Sequence, residues 1–289
     1  MNDSLRGRVV ITGASSGIGA ACALHLDQLG FQVFAGVRTD HDGRALQSHA
    51  SARLVPIMLD VTQENSICAA RDVVAMRVAS AGLSGLVNNA GFALAGPLEL
   101  LPIADLRKQL EVNVIGQVAM SQAFLPLLRQ ARGRIVNMSS IAGRAATPFL
   151  GAYSSSKFAL ESLSDALRCE VRPWGVSVSL VEPGAVQSEI WERSRTHAEA
   201  VFSQTRPDQL ALYKIQLEKL RELTVKVQRR AIPAVDVAKV VAQALTATRP
   251  KTRYLVGYDA QFRAFLKFWL PDRMQDAMLE WYLGLPRQL

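Results

Sequence analysis

Tyr153 and Lys157 stand four residues apart in the run GAYSSSKFAL. On a helix that spacing puts a phenol and an ammonium on one face. A phenol titrates near about 10, too high to exchange protons readily at neutral pH. A cation beside it favours the phenolate and lowers that value, which suits general acid–base chemistry. The plain alternative is an exposed tyrosine beside a solvated lysine, the usual finding for an isolated pair. The neighbouring chemistry has to decide.

A second chemical signal lies near the start. VVITGASSGIG sets Gly13, Gly17 and Gly19 between a β-branched run and a helical pattern. Glycines there let backbone approach a phosphate, and a helix N-terminus adds free N–H groups and a positive dipole end. A structural tight turn would leave the same trace, so its place after the first strand of a βαβ unit carries the weight.

The elements that must position these groups alternate along the chain. Short apolar runs end at Thr12, Val37, Leu59, Asn89, Ser139, Val181 and Gly257, and amphipathic stretches cover 18–29, 63–81, 102–131 and 153–172. Strands apolar on both faces, alternating with helices, predict an α/β fold: a doubly wound Rossmann-type parallel sheet of about seven strands, flanked by helices. Ligands bind beyond the carboxyl ends of such strands.

Composition narrows the classes. The chain has 289 residues, 49% apolar and 20% charged, with a net charge of +8. Lys and Arg are dispersed, which argues against nucleic acid. Cys22, Cys68 and Cys169 show no CxxC or Cys/His spacing, so neither a disulfide framework nor a metal site is expected, and a reducing, cytoplasmic location is. MNDSLRGRVVITG is too short in apolar residues for a signal peptide, and no run reaches transmembrane length.

The spacing T-G-x-x-x-G-x-G is similar to that of the short-chain dehydrogenase/reductase family. Further motifs follow in that family's order: LDVT at 59–62, NNAG at 88–91, Asn113 in EVNVIG, MSS at 138–140, YSSSK at 153–157 and PGAVQS at 183–188. The resemblance spans residues 7 to about 257. It implies a nicotinamide-dependent oxidoreductase in which Tyr153 transfers the proton and Ser140 bonds the reacting oxygen. Strand alternation points its neighbour Ser139 to the other face. Asn113, a poor helix former within a helical pattern, is implied to hold water in a proton relay to Lys157, which also bonds the nicotinamide ribose. Gly13, Ser15, Ser16, Gly17, Ile18 and Gly19 are implied to bind the cofactor. So are Asp60, paired with adenine, Val61, Asn89, Ala90, Gly91, Pro183, Gly184, Val186 and Ser188. Asn88 is read as tying strand to strand.

At the end of the second strand FAGVRTD offers Val37 and then Arg38, where an enzyme preferring NAD carries an acid for the ribose 2′-hydroxyl. A guanidinium grips a 2′-phosphate instead. NADP(H) is therefore expected, with NAD(H) as the alternative, because Asp40 could swing in from a loop. The long segment 189–231 has apolar residues at near-helical spacing, and the family resemblance implies that it forms a substrate lid. The tail 258–289, rich in Phe, Trp, Leu and Met, reads as a helical extension. Together they suggest a bulky apolar alcohol or carbonyl, as in the hydroxysteroid and retinol dehydrogenase branch that the arrangement resembles. The tail is read first as a cap against the sheet or another subunit, with peripheral membrane contact through Arg263, Lys267 and the aromatics as the lesser alternative. The family resemblance also implies that helices 102–131 and 153–172 form the surface of a homodimer or homotetramer. A 3-oxoacyl thioester reductase and a non-catalytic cofactor sensor are the rival functions. The whole chain, 1–289, is expected to be a single domain.

Overall fold

The computed structural model describes residues 5–284. Seven strands form one parallel sheet in the order β3-β2-β1-β4-β5-β6-β7: β1 Arg8–Ile11, β2 Gln32–Val37, β3 Leu54–Met58, β4 Gly85–Asn88, β5 Arg134–Met138, β6 Ser177–Pro183 and β7 Arg253–Val256. Each strand ends within two residues of its expected end, because β-branched runs stop where the glycine, asparagine and serine turns begin. Pro56 is accommodated because β3 is an edge strand with only β2 beside it.

Strand side chains alternate between two buried faces. Val9 and Ile11 pack with helices α1 Gly17–Gln28 and α10 Ala234–Thr246, whereas Val10, between them, packs on the opposite face with α3 Glu64–Val78 and α5 Gly116–Ala131. The sheet is therefore covered on both sides, and the strand order reverses direction at β1 and β4. That switch point opens a crevice above the glycine turn. The short helix α2 Asp40–Gln47 covers the β2–β3 edge.

Three helical regions depart from the expected pattern. The stretch 102–131 is broken by a π turn, Glu111–Ile115, between α4 Ile103–Leu110 and α5. Periodicity in the sequence does not reveal one wider turn inside a long helix, and such turns often mark functional sites. The helix carrying the Tyr–Lys pair, α6 Gly151–Val171, starts two residues early. The segment after β6 forms α7 Ile190–Gln204, α8 Pro207–Ala211 and α9 Lys214–Arg229, so the apolar spacing read from Leu210 onward belongs to two helices.

The tail forms α11 Tyr258–Trp269 and α12 Asp272–Leu283, and residues 285–289 lie outside the described residues. Arg263 points inward, its Nη2 donating to Ala145 O at 2.9 Å and Thr147 Oγ1 at 2.8 Å, while Phe262, Phe265, Phe268 and Trp269 are exposed. Among the described residues no helix is long and apolar enough to cross a membrane.

Candidate active site

β1 runs into the glycine turn. Gly13 and Gly17 have φ of +64° and +55°, left-handed backbone that glycine adopts without steric cost. Ser16 N-caps α1 but makes no side-chain cap bond, so its hydroxyl does not compete for the first-turn N–H groups. An uncapped helix start behind left-handed glycines is suited to an anion, which fits the diphosphate of a dinucleotide. Thr12 and Asn89 hold the turn in shape. Thr12 Oγ1 accepts from Asn89 N and Ala90 N at 2.9 Å each, and Asn89 Nδ2 donates to Thr12 O and Gly13 O at 3.1 Å each. Thr12 went unassigned in the sequence, although its place directly before Gly13 was the signal.

A cleft of about 1010 Å³ joins this turn to Tyr153 and Lys157. The expected site residues line it, except Gly19 and Asn113, which stand behind the wall. A Cβ on Gly19 would lie 2.1 Å from Gly13 O, so this glycine lets α1 pack under the turn rather than touching the cleft. The side of Gly91 that a Cβ would occupy faces Asn113 Oδ1 at 3.1 Å, so this glycine makes room for Asn113 as well as lining the cleft. Asp60 Oδ1 accepts from Thr62 N at 2.9 Å and Thr62 Oγ1 at 2.8 Å, which fixes the carboxylate after β3. Arg38 is exposed at the cleft and has no carboxylate partner among the described residues. Asp40 does not swing from a loop: it is the first residue of α2, whose N-cap Thr39 accepts from Asp42 N at 3.1 Å.

Tyr153 and Lys157 are both buried on the inner face of α6. Lys157 Nζ donates to Met138 O at 2.7 Å and lies 5.7 Å from the centre of the Tyr153 ring. Burial pushes the Tyr153 phenol above its usual range, and the neighbouring Ser140 hydroxyl pulls the other way. Burial also pushes Lys157 down to about 8, with the Glu161 carboxylate opposing it. The phenol of the chain alone therefore stands above its ordinary value and not below it, because desolvation outweighs the Ser140 hydrogen bond.

β5 ends at Met138, so Ser139 and Ser140 both lie beyond the strand and strand alternation does not separate them. Both reach the cleft. Ser140 is distinguished by its contacts: Oγ donates to Pro183 O at 3.4 Å, accepts from Ala142 N at 3.2 Å, and neighbours the phenol.

Asn113 is buried in the π turn, and its side chain is occupied. Oδ1 accepts from Phe92 N at 3.1 Å, while Nδ2 donates to Phe92 O at 3.0 Å and Ser156 Oγ at 3.1 Å. Ser156 in turn donates to Tyr153 O at 2.7 Å, clamping the helical turn that carries the tyrosine. Of the three serines inside YSSSK only this one makes that link, and nothing in the sequence singles it out. Asn88 ties β4 to β5 as expected, its Nδ2 donating to Asn137 Oδ1 at 2.9 Å.

The wall beside the phenol is apolar: Ala93, Ala142 and Tyr153 cluster with Ile190 and Trp191 of α7. Trp191 meets Tyr153 edge to face, ring centres 6.3 Å apart. His197 of α7 reaches Asp105 of α4 at 2.8 Å, and both residues line the cleft. No described residue after His197 lines it, so α8, α9 and the tail do not form its wall. The tail instead buttresses the rim, with Asp259 Oδ2 accepting from Ala185 N at 2.8 Å.

The sequence profile described as short chain dehydrogenase matches residues 8–199. Retinol dehydrogenase 5 of Mus musculus is 40% identical over 97% of this chain and 90% of its own length. The 17-beta-hydroxysteroid dehydrogenase type 6 of Bos taurus is 38% identical over 94% of this chain and 87% of its own. Among solved structures, a short chain dehydrogenase from Burkholderia cenocepacia in complex with NADP superposes with a TM-score of 0.73 at 26% identity, covering 96% of this chain and 99% of that one. One from Burkholderia phymatum in complex with NAD gives 0.76 at 26% identity, covering both chains fully.

Proposed function

The chain belongs to the short chain dehydrogenase family, oxidoreductases of alcohols and carbonyls that use NAD(P), and from that premise we propose how this member works and on what. The carrying observation is a buried Tyr153–Lys157 pair, with Ser140 beside it, in the same cleft as an anion-cradling glycine turn. In reduction Tyr153 gives its proton to the carbonyl oxygen, and in oxidation it takes that proton back. Ser140 Oγ donates to the same oxygen and favours the phenolate. Lys157 binds the nicotinamide ribose and shares in proton transfer. Asn113 serves the relay through its main-chain carbonyl in the π turn, since its side chain is occupied. When bound, the nicotinamide carries the hydride, and its oxidised form adds the positive charge that draws the phenol downward.

NADP(H) is the preferred cofactor in this reading. Arg38 stands free at the cleft after β2, while Asp40 is held in a capped helix. The substrate is a bulky, apolar alcohol and its ketone or aldehyde, of the retinoid or steroid kind named for the relatives. The wall of Ala93, Ala142, Ile190 and Trp191 supports this, with α7 as its lid. A 3-oxoacyl thioester needs no such wall, and the relatives quoted above speak against it. The protein works as one domain, and it associates through the exposed Ile115, Phe158 and Leu163 of the long-helix face.

The test is turnover of retinal, a 17-keto steroid and a short ketone with NADPH and NADH, followed by absorbance of the reduced nicotinamide. Tyr153→Phe should abolish reduction and leave NADPH binding intact. Turnover surviving that change would exclude Tyr153 as proton donor.

A further inference from the structure

Lys157 is not the last charged group on its face of α6. Glu161 follows one turn later and Asp165 one turn after that, so Tyr153, Lys157, Glu161 and Asp165 form a row at i, i+4 spacing. Glu161 is 8% exposed, and Glu182, one residue before Pro183 on β6, is fully buried. One guanidinium from β7 meets all three carboxylates. Arg253 Nε lies 3.0 Å from Glu161 Oε2 and 3.3 Å from Glu182 Oε1, and its Nη2 donates to Asp165 Oδ2 at 2.6 Å. Arg144, from the turn after Ser140, lies 2.7 Å from Glu182 Oε2, and Arg168 closes the outer end on Asp165. The charged groups facing Glu161 are therefore Lys157 and Asp165 on its own helix, Glu182 on β6, Arg253 on β7 and, beyond Glu182, Arg144.

Buried ion clusters of this kind add little net stability, since desolvation offsets most of the attraction. This one begins one turn beyond the active-site lysine, on the same buried face of α6. That lysine needs help: its ammonium is buried, with burial driving it down to about 8, and the Glu161 carboxylate works against that drive. A neutral Lys157 would lose the charge that strengthens its bond to a ribose hydroxyl and favours the phenolate. We propose that Glu161 is a positioning residue: acting through Lys157, it keeps the ammonium charged and so sets the alkaline limit of cofactor binding and turnover, while Arg253 holds its carboxylate in place. The proposal rests on Lys157 binding the nicotinamide ribose, as proposed above. Glu182 extends the device. Burial and the Glu161 charge push it up to about 7, with Arg144 and Arg253 pulling the other way.

NADPH binding, followed by protein fluorescence from pH 6 to 10, tests this without requiring a known substrate. In the wild type, affinity falls with a midpoint near the lysine value of about 8. The Tyr153 phenol is displaced upward and titrates later. In Glu161→Gln the midpoint should move acidward by about one pH unit, the effect of removing one close opposite charge. Glu161→Asp should restore most of it. The alkaline limb of kcat/KM with retinal or a keto steroid should move in parallel. A Glu161→Gln protein that melts like wild type and keeps the wild-type midpoint overturns the proposal. Should that variant not fold, Glu182→Gln carries the test: a smaller acidward shift supports the proposal, and an unmoved or alkaline-shifted midpoint overturns it. Failure to bind either reduced nicotinamide at any pH overturns the cofactor reading itself, whereas tight binding with an unshifted midpoint overturns only the part given to Glu161.

Discussion

Replacing Gly184 by alanine should damage the protein through a residue seventy-five positions away. Gly184 follows β6, and its N–H donates to Val256 O at 3.0 Å. Its φ is not in the left-handed region, so the backbone itself accepts alanine. A Cβ there, however, would lie 2.1 Å from both carboxylate oxygens of Asp259. That carboxylate sits in the first turn of α11 and accepts from Ala185 N at 2.8 Å. It must swing away, losing one charge-assisted hydrogen bond that solvent partly weakens and a favourable place at a helix N-terminus. These are worth about 1–2 kcal/mol and about 0.5 kcal/mol respectively. A loss near 2 kcal/mol corresponds to a melting drop of about 4 °C in a chain of this size. The assay is a double-mutant cycle by urea unfolding. Gly184→Ala and Asp259→Ala should each cost about 2 kcal/mol, and the double variant little more than either, leaving a coupling of about 2 kcal/mol. Additive losses would refute the reasoning, because alanine would then be harmful for a reason other than the carboxylate.

Arg38→Ala should weaken NADPH by about 30-fold or more while changing NADH less than about twofold, the worth of one charge-assisted guanidinium–phosphate pair; equal losses in fluorescence titrations would argue against the NADP preference. Ser156→Ala leaves one Asn113 N–H without its buried acceptor and should cost about 1–3 kcal/mol, with kcat falling more than KM changes. Ser155→Ala, exposed on the same helix, should cost under about 0.5 kcal/mol in the same melts. Glu182 is held more protonated in the folded chain than in the unfolded one, so its contribution to stability is full below the ordinary carboxylate range and is lost as pH rises through about 7. Urea melts of Glu182→Gln at pH 5.5 and 8 should therefore show the variant gaining on wild type with rising pH, and the opposite trend would contradict the sign.

Strand ends and the glycine turn were legible along the chain because their causes are local. A β-branched run followed by glycine or serine stops a strand wherever it stands, and helix faces repeat every three to four residues. For the same reason Tyr153 and Lys157 could be placed on one face of one helix before any fold was known. The π turn at Asn113 escaped because one wider turn leaves no mark on a periodic pattern, and the choice between Ser139 and Ser140 could not rest on strand alternation because the strand ends before both.

The sequence by itself determined a doubly wound α/β oxidoreductase and the residue types of its chemistry, since these follow from short-range spacing and ordered motifs. Tertiary structure alone decided which of three identical serines clamps the tyrosine, that Gly19 serves packing, and that the tail braces the rim of the cleft from outside. It also decided the electrostatics. Burial in the assembled sheet raises the phenol and lowers the ammonium, a desolvation cost that no spacing of residues contains.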